Sequence, residues 1–433
     1  MMKIAFVSLG CSKNQVDSER VMGLLKQSGH QIITNPASAD AIFINTCGFI
    51  TAAKQEGIQT IFDMLEYKQG KCKKLIVLGC LAQRYKTELE KELSEVDRFI
   101  GVQEYGKLSA ILQEVLEEPI IGQYGKGNRY ISQHPTTAYL KIAEGCSNKC
   151  AYCAIPLIRG KQVSVSMEEL ISEAKHLASS GVKELVLIAQ DSTRYGIDLY
   201  KDYKLPDLLI ELNQIKELKW IRVLYMYPDK VSDRLLDVMR SCDKVLPYFD
   251  IPFQHIDDHL LNLMKRHTSA IQLRDTVDRI RKVFPHAILR TTLIVGFPTE
   301  TDTQFNALVN AVEEIEFDRM GAFMYSPEED TPAFKMEDDV PSIVKEDRFQ
   351  SLMEVQSHIS SEKAVSLLGQ VFDVLVESYD AKALIYHGRS WMSAPDQVDG
   401  EIIFASQQKI KLGSFIQIKI NNYSDYDLVG EIV

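Results

Sequence analysis

The chain has 433 residues, 25% of them charged, a formal net charge of −11 and eight cysteines. That length exceeds one ordinary core and predicts two to four domains, and the composition is that of a water-soluble globular protein with no apolar run long enough to span a bilayer. The acidic balance disfavours general affinity for phosphate backbones and suits a basic protein partner, and the first ten residues carry too short an apolar run for a signal peptide, so a cytoplasmic location is expected.

Residues 1–118 alternate short apolar runs with amphipathic stretches. Strands are expected at Ile4–Leu9, Ala41–Asn45 and Leu75–Leu78. Each precedes a helical pattern: Val21, Leu24 and Leu25; then Ile58, Ile61, Phe62 and Leu65; then Tyr85, Leu89 and Leu93. This is the pattern of an open parallel α/β sheet. Residues 119–136 are polar, with Gly122, Gly125, Gly127, Asn128 and Pro135, and read as a linker.

Residues 137–367 repeat the alternation. Strands are expected at Tyr139–Ala143, Leu185–Ala189, Trp220–Tyr225, Tyr248–Ile251, Ile288–Val295 and Gly321–Tyr325. A helix begins at Ser166, with Glu169 as its capping-box partner and Leu170, Ile171, Ala174, Leu177 and Ala178 along it. Such units predict a (β/α) barrel or partial barrel. Residues 368–433 change character, with strands expected at Val371–Glu377, Ile402–Phe404 and Phe415–Ile420 and turns at Gly388, Gly400, Gly413 and Asn421-Asn422. A small all-β barrel fits. From Gln370 onward it carries five Lys/Arg against nine Asp/Glu, a net of −4.

The sharpest feature is Cys146-Ser-Asn-Lys-Cys150-Ala-Tyr-Cys153, just after the first barrel strand. Clustered thiolates bind soft metals and iron–sulfur clusters. Three of them leave one iron of a cubane open to a substrate. A zinc site is the alternative, but it needs a fourth ligand, and the nearest downstream histidine, His176, lies on the polar side of a helix. The position favours catalysis, because functional residues of (β/α) barrels gather at the C-terminal strand ends.

Cys11, Cys47 and Cys80 form a second set. Each follows a candidate strand, at spacings near one βαβ repeat, and the C-terminal strand ends of a parallel sheet share one edge. One such cysteine reads as turn filler beside glycine; three at equivalent positions read as ligands. Cys72 and Cys242 fit neither set and read as structural.

The CxxxCxxC motif, with Tyr152 before its last cysteine, resembles the radical S-adenosylmethionine superfamily, a resemblance that implies a cofactor contact at Tyr152. That resemblance implies a 4Fe–4S cluster whose open iron binds S-adenosylmethionine, cleaved on reduction to a 5′-deoxyadenosyl radical. With Gly10-Cys11-Ser-Lys-Asn14, Asn45-Thr-Cys47-Gly48 and Ala143-Glu-Gly-Cys146, the whole chain resembles the methylthiotransferase family. Its order is an N-terminal methylthiotransferase domain, a radical domain and a small barrel called TRAM, which implies that Cys11, Cys47 and Cys80 hold a second 4Fe–4S cluster. Two S-adenosylmethionine molecules are then used, one to methylate sulfur and one to open the substrate carbon. Three segments resemble the branch that modifies an aspartate of ribosomal protein S12 rather than a tRNA adenosine: Tyr248–His255, Met324–Pro332, and Gly388-Arg-Ser through Ala394-Pro-Asp396 to Asp399-Gly400. The acidic barrel agrees, since an RNA-binding module should offer Lys and Arg, and RNA contact through it is not expected. The expected partners are ribosomal protein S12 and a low-potential donor such as flavodoxin or ferredoxin. The chain departs from the family where Ser164 is followed by Val165-Ser166 instead of Arg-Pro, so no arginine is available there.

Other residues carry paired readings. Gln190 and Asp191, with Ser192, follow the second barrel strand and read equally as contacts to S-adenosylmethionine or as a turn and cap. Gly296 would let the cofactor approach the backbone, or serve a strand-to-helix turn; Glu300 reads as a cofactor contact or as a helix N-terminal acid. Arg290 reads as lumen-facing or salt-bridged, and His255 as catalytic or, preferably, as a hydrogen-bonded surface group, since radical abstraction needs no base. Two other functions fit the residues less well: tRNA methylthiolation, and a non-enzymatic iron–sulfur or zinc protein.

Overall fold

The structure is a computed structural model and describes residues 1–433 except 126–128, 133–134, 396–397 and 425. Gly127 and Asn128 of the expected linker, and Asp396 and Asp425 of the barrel's acidic count, lie outside the described residues.

The chain opens with a five-stranded parallel sheet: β1 (Lys3–Ser8), β2 (Gln31–Ile33), β3 (Ala41–Thr46), β4 (Lys74–Gly79) and β5 (Arg98–Gly101), in the order β2-β1-β3-β4-β5. β3 is central and wholly buried. Its alternation divides the core: Ala41 and Phe43 pack with Val21, Leu24 and Leu25, while Ile42 and Ile44 pack with Ile61, Leu81, Leu89 and Leu93. The strand order reverses direction between β1 and β3, the switch point where open α/β sheets bind ligands.

Helices α1 (Ser12–Gln27), α2 (Thr51–Leu65), α3 (Cys80–Arg84), α4 (Lys86–Glu92) and α5 (Leu108–Leu116) connect and flank these strands. Two differ from expectation. α2 buries only Gly57 and Ile61, leaving Ile58 and Phe62 at 38% and 50% exposure. The Tyr85–Leu93 pattern is broken at Tyr85, which leaves helical geometry and splits the segment into α3 and α4. The short edge strands β2 and β5 have no counterpart in the sequence reading. Between the first two domains, Arg129 binds Glu19 at 2.8 Å and Glu173 at 2.9 Å, and Tyr124 donates to Asp17 at 2.9 Å.

Next come β6 (Thr137–Lys141), the short pair β7 (Ala143–Glu144) and β8 (Val163–Ser164), β9 (Glu184–Ile188), β10 (Trp220–Val223), β11 (Tyr248–Asp250), β12 (Ile288–Val295) and β13 (Arg319–Met324). β6, β9 and β10 pair in parallel, as do β11, β12 and β13. An Ile221–Val245 bridge and a Met226 N–H to Asp250 carbonyl bond of 2.8 Å join the two halves. The result is an arc β6-β9-β10-β11-β12-β13, a partial barrel with no β6–β13 pairing among the described residues. Its helices are α6 (Ile155–Arg159), α7 (Met167–Ser179), α8 (Leu205–Asn213), α9 (Asp233–Ser241), α10 (Asp258–Leu263), α11 (Ala270–Val283), α12 (Asp302–Ile315) and α13 (Ser342–Ser366). α7 starts at Ser166, whose hydroxyl accepts from the Glu169 N–H, as expected of a cap.

The chain ends in a closed barrel of β14 (Val371–Asp380), β15 (Ile385–Arg389), β16 (Ile402–Ala405), β17 (Phe415–Ser424) and β18 (Asp427–Ile432). Gly388 lies inside β15 rather than in a turn, and Asn421-Asn422 lies at a register shift inside β17. This barrel plugs the N-terminal floor of the arc. Val186, Trp220, Tyr248 and Ile288 share one core with Met392, Ala394 and Phe404.

The floor is also ionic. Glu184, fully buried, binds Arg222 at 2.8 Å and Arg389 at 2.6 Å. Arg290 pairs with Asp250 at 3.7 Å and Asp399 at 3.5 Å, and the Tyr248 hydroxyl donates to Asp399. Arg290 is thus salt-bridged. No helix is long and apolar enough to cross a membrane among the described residues.

Candidate metal centres

Cys11, Cys47 and Cys80 follow β1, β3 and β4 directly, at the switch-point edge. Asn14, fully buried on α1, binds all three loops. Its amide donates to the Leu9 carbonyl at 3.2 Å and the Thr46 carbonyl at 3.1 Å, and its oxygen accepts from the Cys80 thiol at 3.6 Å. Gly10 shows how tightly the loops meet: its φ is +85°, and a Cβ there would stand 2.8 Å from Cys47 Cβ. Cys11 is exposed, Cys47 half-buried and Cys80 buried.

Cys146, Cys150 and Cys153 sit on the loop after β7. Gly145, at φ +73°, precedes them, and a Cβ there would lie 2.3 Å from the Lys161 carbonyl, so only glycine fits. The Cys146 N–H donates to the Gly160 carbonyl at 3.0 Å, and the Ala151 N–H to the Met264 carbonyl at 2.9 Å. Arg266 stacks 4.0 Å over the Tyr227 ring, donates to the Pro252 carbonyl and reaches the Cys150 sulfur at 3.9 Å.

The two cysteine loops adjoin one domain contact, where Cys80 packs with Ala154 and Ile158. Arg159, at the end of α6, is the bracket between them. Its backbone adjoins the Cys146 turn, while its guanidinium crosses to Asn14 at 2.7 Å and Asp17 at 3.0 Å and returns to Glu144 at 2.8 Å. Lys141 completes the buried network by binding Asp17 and, at 2.5 Å, Glu144. Burial pushes Glu144 upward, but Lys141 and Arg159 outweigh it and hold the carboxyl far below its ordinary value. None of Asn14, Asp17, Lys141, Glu144 or Arg266 stands out as functional in the sequence. Asn14 and Glu144 did lie within motif segments, which was the available signal.

Burial raises four of the six thiols: Cys80 and Cys153 to about 12, Cys146 to about 11, and Cys47 upward. As free thiols these four stay protonated, and a bound metal would be needed to hold them as thiolates. Among the described residues no three His, Cys, Asp or Glu side chains are gathered around one point to hold a single metal ion.

The other expected site residues divide. Gln190 reaches Glu144 at 3.4 Å, and its carbonyl oxygen is buried with no hydrogen-bond partner among the described residues. Asp191 is committed to the cysteine loop, accepting from Asn148 at 2.7 Å and Thr193 at 2.6 Å. Tyr152 packs against Leu260, Ile294 and Phe297. Gly296, at φ +67°, follows β12, and its N–H donates to Glu300. Glu300 also meets Arg348 at 3.3 Å and His255 at 3.6 Å. His255 is fully buried, not a surface group. Non-glycine residues with left-handed backbone cluster at this mouth: Tyr225 at φ +61°, Gln254 at +71° and Thr299 at +73°.

Two segments that resembled substrate-class markers serve domain contacts. In Met324–Pro332, buried Glu328 receives Arg84 at 2.7 Å and Lys54 at 3.0 Å, and Glu329 receives the Tyr85 hydroxyl at 2.7 Å. In Gly388-Arg389-Ser390, Arg389 binds Glu184 under the arc. Ser164, just before the Val165 position where the family arginine is missing, hydrogen-bonds Asp198 at 2.5 Å.

Known proteins match this architecture along the whole chain. Residues 3–101 match the uncharacterized protein family UPF0004, 140–312 the Radical SAM superfamily and 368–433 the TRAM domain. The ribosomal protein uS12 methylthiotransferase RimO of Caldicellulosiruptor saccharolyticus is 46% identical over 100% of both chains. That of Clostridioides difficile is 45% identical over 100% of this chain and 99% of its own. That of Acetivibrio thermocellus is 43% identical over 100% and 98%. Among solved structures, the radical S-adenosylmethionine methyltransferase TsrM of Kitasatospora setae, with tryptophan and an S-adenosylmethionine analogue bound, aligns with a TM-score of 0.55 at 11% identity, covering 74% of this chain and 72% of its own. The cobalamin-dependent radical enzyme OxsB aligns at 0.53 and 11%, covering 83% of this chain and 56% of its own. These two are similar in fold alone. Identity of this level over the full length of both chains settles the family: the chain belongs to the RimO family of radical S-adenosylmethionine methylthiotransferases.

Proposed function

We propose that the protein methylthiolates an aspartate of ribosomal protein uS12, with Cys146, Cys150 and Cys153 holding one 4Fe–4S cluster and Cys11, Cys47 and Cys80 a second. What supports the reading is the Arg159–Asn14 bond of 2.7 Å, which ties the Cys80 loop, through the same Asn14 oxygen, to the helix that follows the Cys146–Cys153 loop. The donor set fits iron–sulfur clusters: six thiols, each set one short of closing a cubane. When bound, the clusters and S-adenosylmethionine supply the radical and the sulfur.

The chain's own residues do the rest. Asn14 fixes the second cysteine set, Asp191 fixes the first through Asn148, and Arg266 places positive charge at Cys150. Gln190 keeps an unused acceptor for S-adenosylmethionine, whereas the space a Cβ would take at Gly296 is filled by the Lys345 side chain, 2.3 Å away. In this reading Tyr152 and Glu300 support that pocket from behind. The acidic chain suits a basic ribosomal protein, the electron donor is a low-potential protein of the flavodoxin or ferredoxin class, and the location is the cytoplasm.

The test is anaerobic reconstitution with iron and sulfide, followed by S-adenosylmethionine and reductant with uS12 and bulk tRNA in parallel, read by mass spectrometry. A methylthio group on a uS12 aspartate with unmodified tRNA is expected. Modified tRNA with untouched uS12 would overturn the substrate.

A further inference from the structure

Lys13 lies in the first turn of α1, two residues beyond Cys11, and is only 6% exposed. A buried ammonium ordinarily has a carboxylate or several acceptors. The other cations around this interface do: Arg159 and Lys141 bind Asp17 and Glu144, and Arg266 binds a carbonyl and a thiol. Lys13 has neither an ion pair nor a hydrogen bond among the described residues. Its ammonium crosses from the N-terminal domain to stand 2.9 Å above the centre of the Tyr225 ring, at the C-terminal end of β10.

Tyr225 is itself held for this. A bulky residue at φ +61° is strained. Three bonds keep it there: its N–H to Asp250 at 2.9 Å, its carbonyl from the Ser192 N–H at 2.9 Å, and its hydroxyl with Ser12 at 3.4 Å. The outcome is a positive charge with no direct ion pair among the described residues, near Asp250 and Glu144 without touching them and beside the exposed Cys11. A reacting side chain must come beside Cys11 to meet both sets.

We propose that Lys13 receives the carboxylate of the substrate side chain and makes the site selective for an acidic residue over a neutral one. This rests on the reading that the substrate is an aspartate of uS12. A cation–π contact would yield to a charge-assisted hydrogen bond when the carboxylate arrives.

The experiment measures binding of uS12, and of uS12 with the modified aspartate changed to asparagine, to the cluster-loaded protein without reductant. The wild type should prefer the aspartate form by about tenfold or more, the worth of one charged hydrogen bond. Lys13→Gln should bring that ratio to about one, and Lys13→Arg should keep it. As a control on folding, Lys13→Glu should bind uS12 carrying lysine at the target position better than it binds the aspartate form. A Lys13→Gln protein that keeps the wild-type preference overturns the proposal. So does one that keeps the preference but loses affinity for S-adenosylmethionine, since the cation would then serve the cofactor. If the wild type leaves uS12 unmodified, the substrate reading fails first and the proposal falls with it.

Discussion

The partial barrel meets the N-terminal domain at its mouth and the C-terminal barrel at its floor, and both contacts bury charge. At the floor, Glu184, Arg222, Arg389, Asp399 and Arg290 pair with one another and lie beside an apolar core of Trp220, Tyr248 and Phe404. At the mouth, Arg159, Lys141, Asp17 and Glu144 pair as closely, but around them lie thiols, a Lys13 with no ion pair among the described residues and strained backbone at Tyr225, Gln254 and Thr299. The floor gives each of these charged groups an ion pair, although Arg222 Nη2 and Asp399 Oδ1 have no hydrogen-bond partner among the described residues. The mouth keeps groups in reserve, as a site poised for ligands must. Buried charge alone therefore does not separate the two regions; a buried cation with no ion pair among the described residues, beside strained backbone, does.

The strongest way to sharpen this contrast is to cut the bracket at each end. Arg159→Ala leaves Asp17 and Glu144 short of a buried partner and should cost about 3–5 kcal/mol of stability. It should also lower methylthiolated product per 5′-deoxyadenosine, because the two cysteine sets lose their common tie. Arg389→Ala, which strands Glu184, should cost a similar amount, about 3–5 kcal/mol, and leave that ratio unchanged. Denaturant unfolding gives the first quantity and product ratios the second. Equal ratios in both variants would erase the distinction between mouth and floor.

A smaller effect is expected at the latch outside the mouth. Glu328→Gln weakens the contacts to Arg84 and Lys54 and should cost about 1–3 kcal/mol, with the product ratio moving less than in Arg159→Ala.

The floor also predicts a pH dependence. Burial pushes the Glu184 carboxyl upward, but Arg389 and Arg222 outweigh it and hold it below its ordinary 4.5. A depressed carboxylate contributes stability that is complete above its unfolded value and is lost as pH falls through the folded one. Stability should therefore decline below about pH 4.5, and Glu184→Gln should flatten that decline. The smallest effect belongs to Ile58 and Phe62, which are 38% and 50% exposed. Replacing either by serine should change stability by about 0.5 kcal/mol or less. A large loss would mean that α2 packs as its sequence pattern first suggests.

That last case shows where the sequence was readable. The long, strongly apolar strands β3, β4, β9 and β12 fall close to their expected positions, because runs such as Ile42–Ile44 and Leu75–Leu78 have no alternative to burial. Short edge strands such as Gln31–Ile33 and Arg98–Gly101 carry too few residues for a period to emerge. β15 was hidden because Gly388 reads as a turn, whereas the chain uses it where a Cβ would strike the Leu375 carbonyl at 2.5 Å. The cysteines were legible from spacing. Their supports were not, because Arg159 meets Asn14 across 145 residues, and Arg389 meets Glu184 across 205. Glu300 and His255 show the same limit: each has a plausible local reading, and only the fold turns them toward each other in the interior.

The central claim is that the two cysteine sets form separate centres that act on one substrate. The most direct measurement replaces Cys11, Cys47 and Cys80 together by alanine in the anaerobically reconstituted protein, then follows 5′-deoxyadenosine and methylthiolated uS12 in the same reaction. The account predicts that 5′-deoxyadenosine still forms and that no methylthio group is transferred; methylthiolated uS12 at the wild-type yield would contradict it.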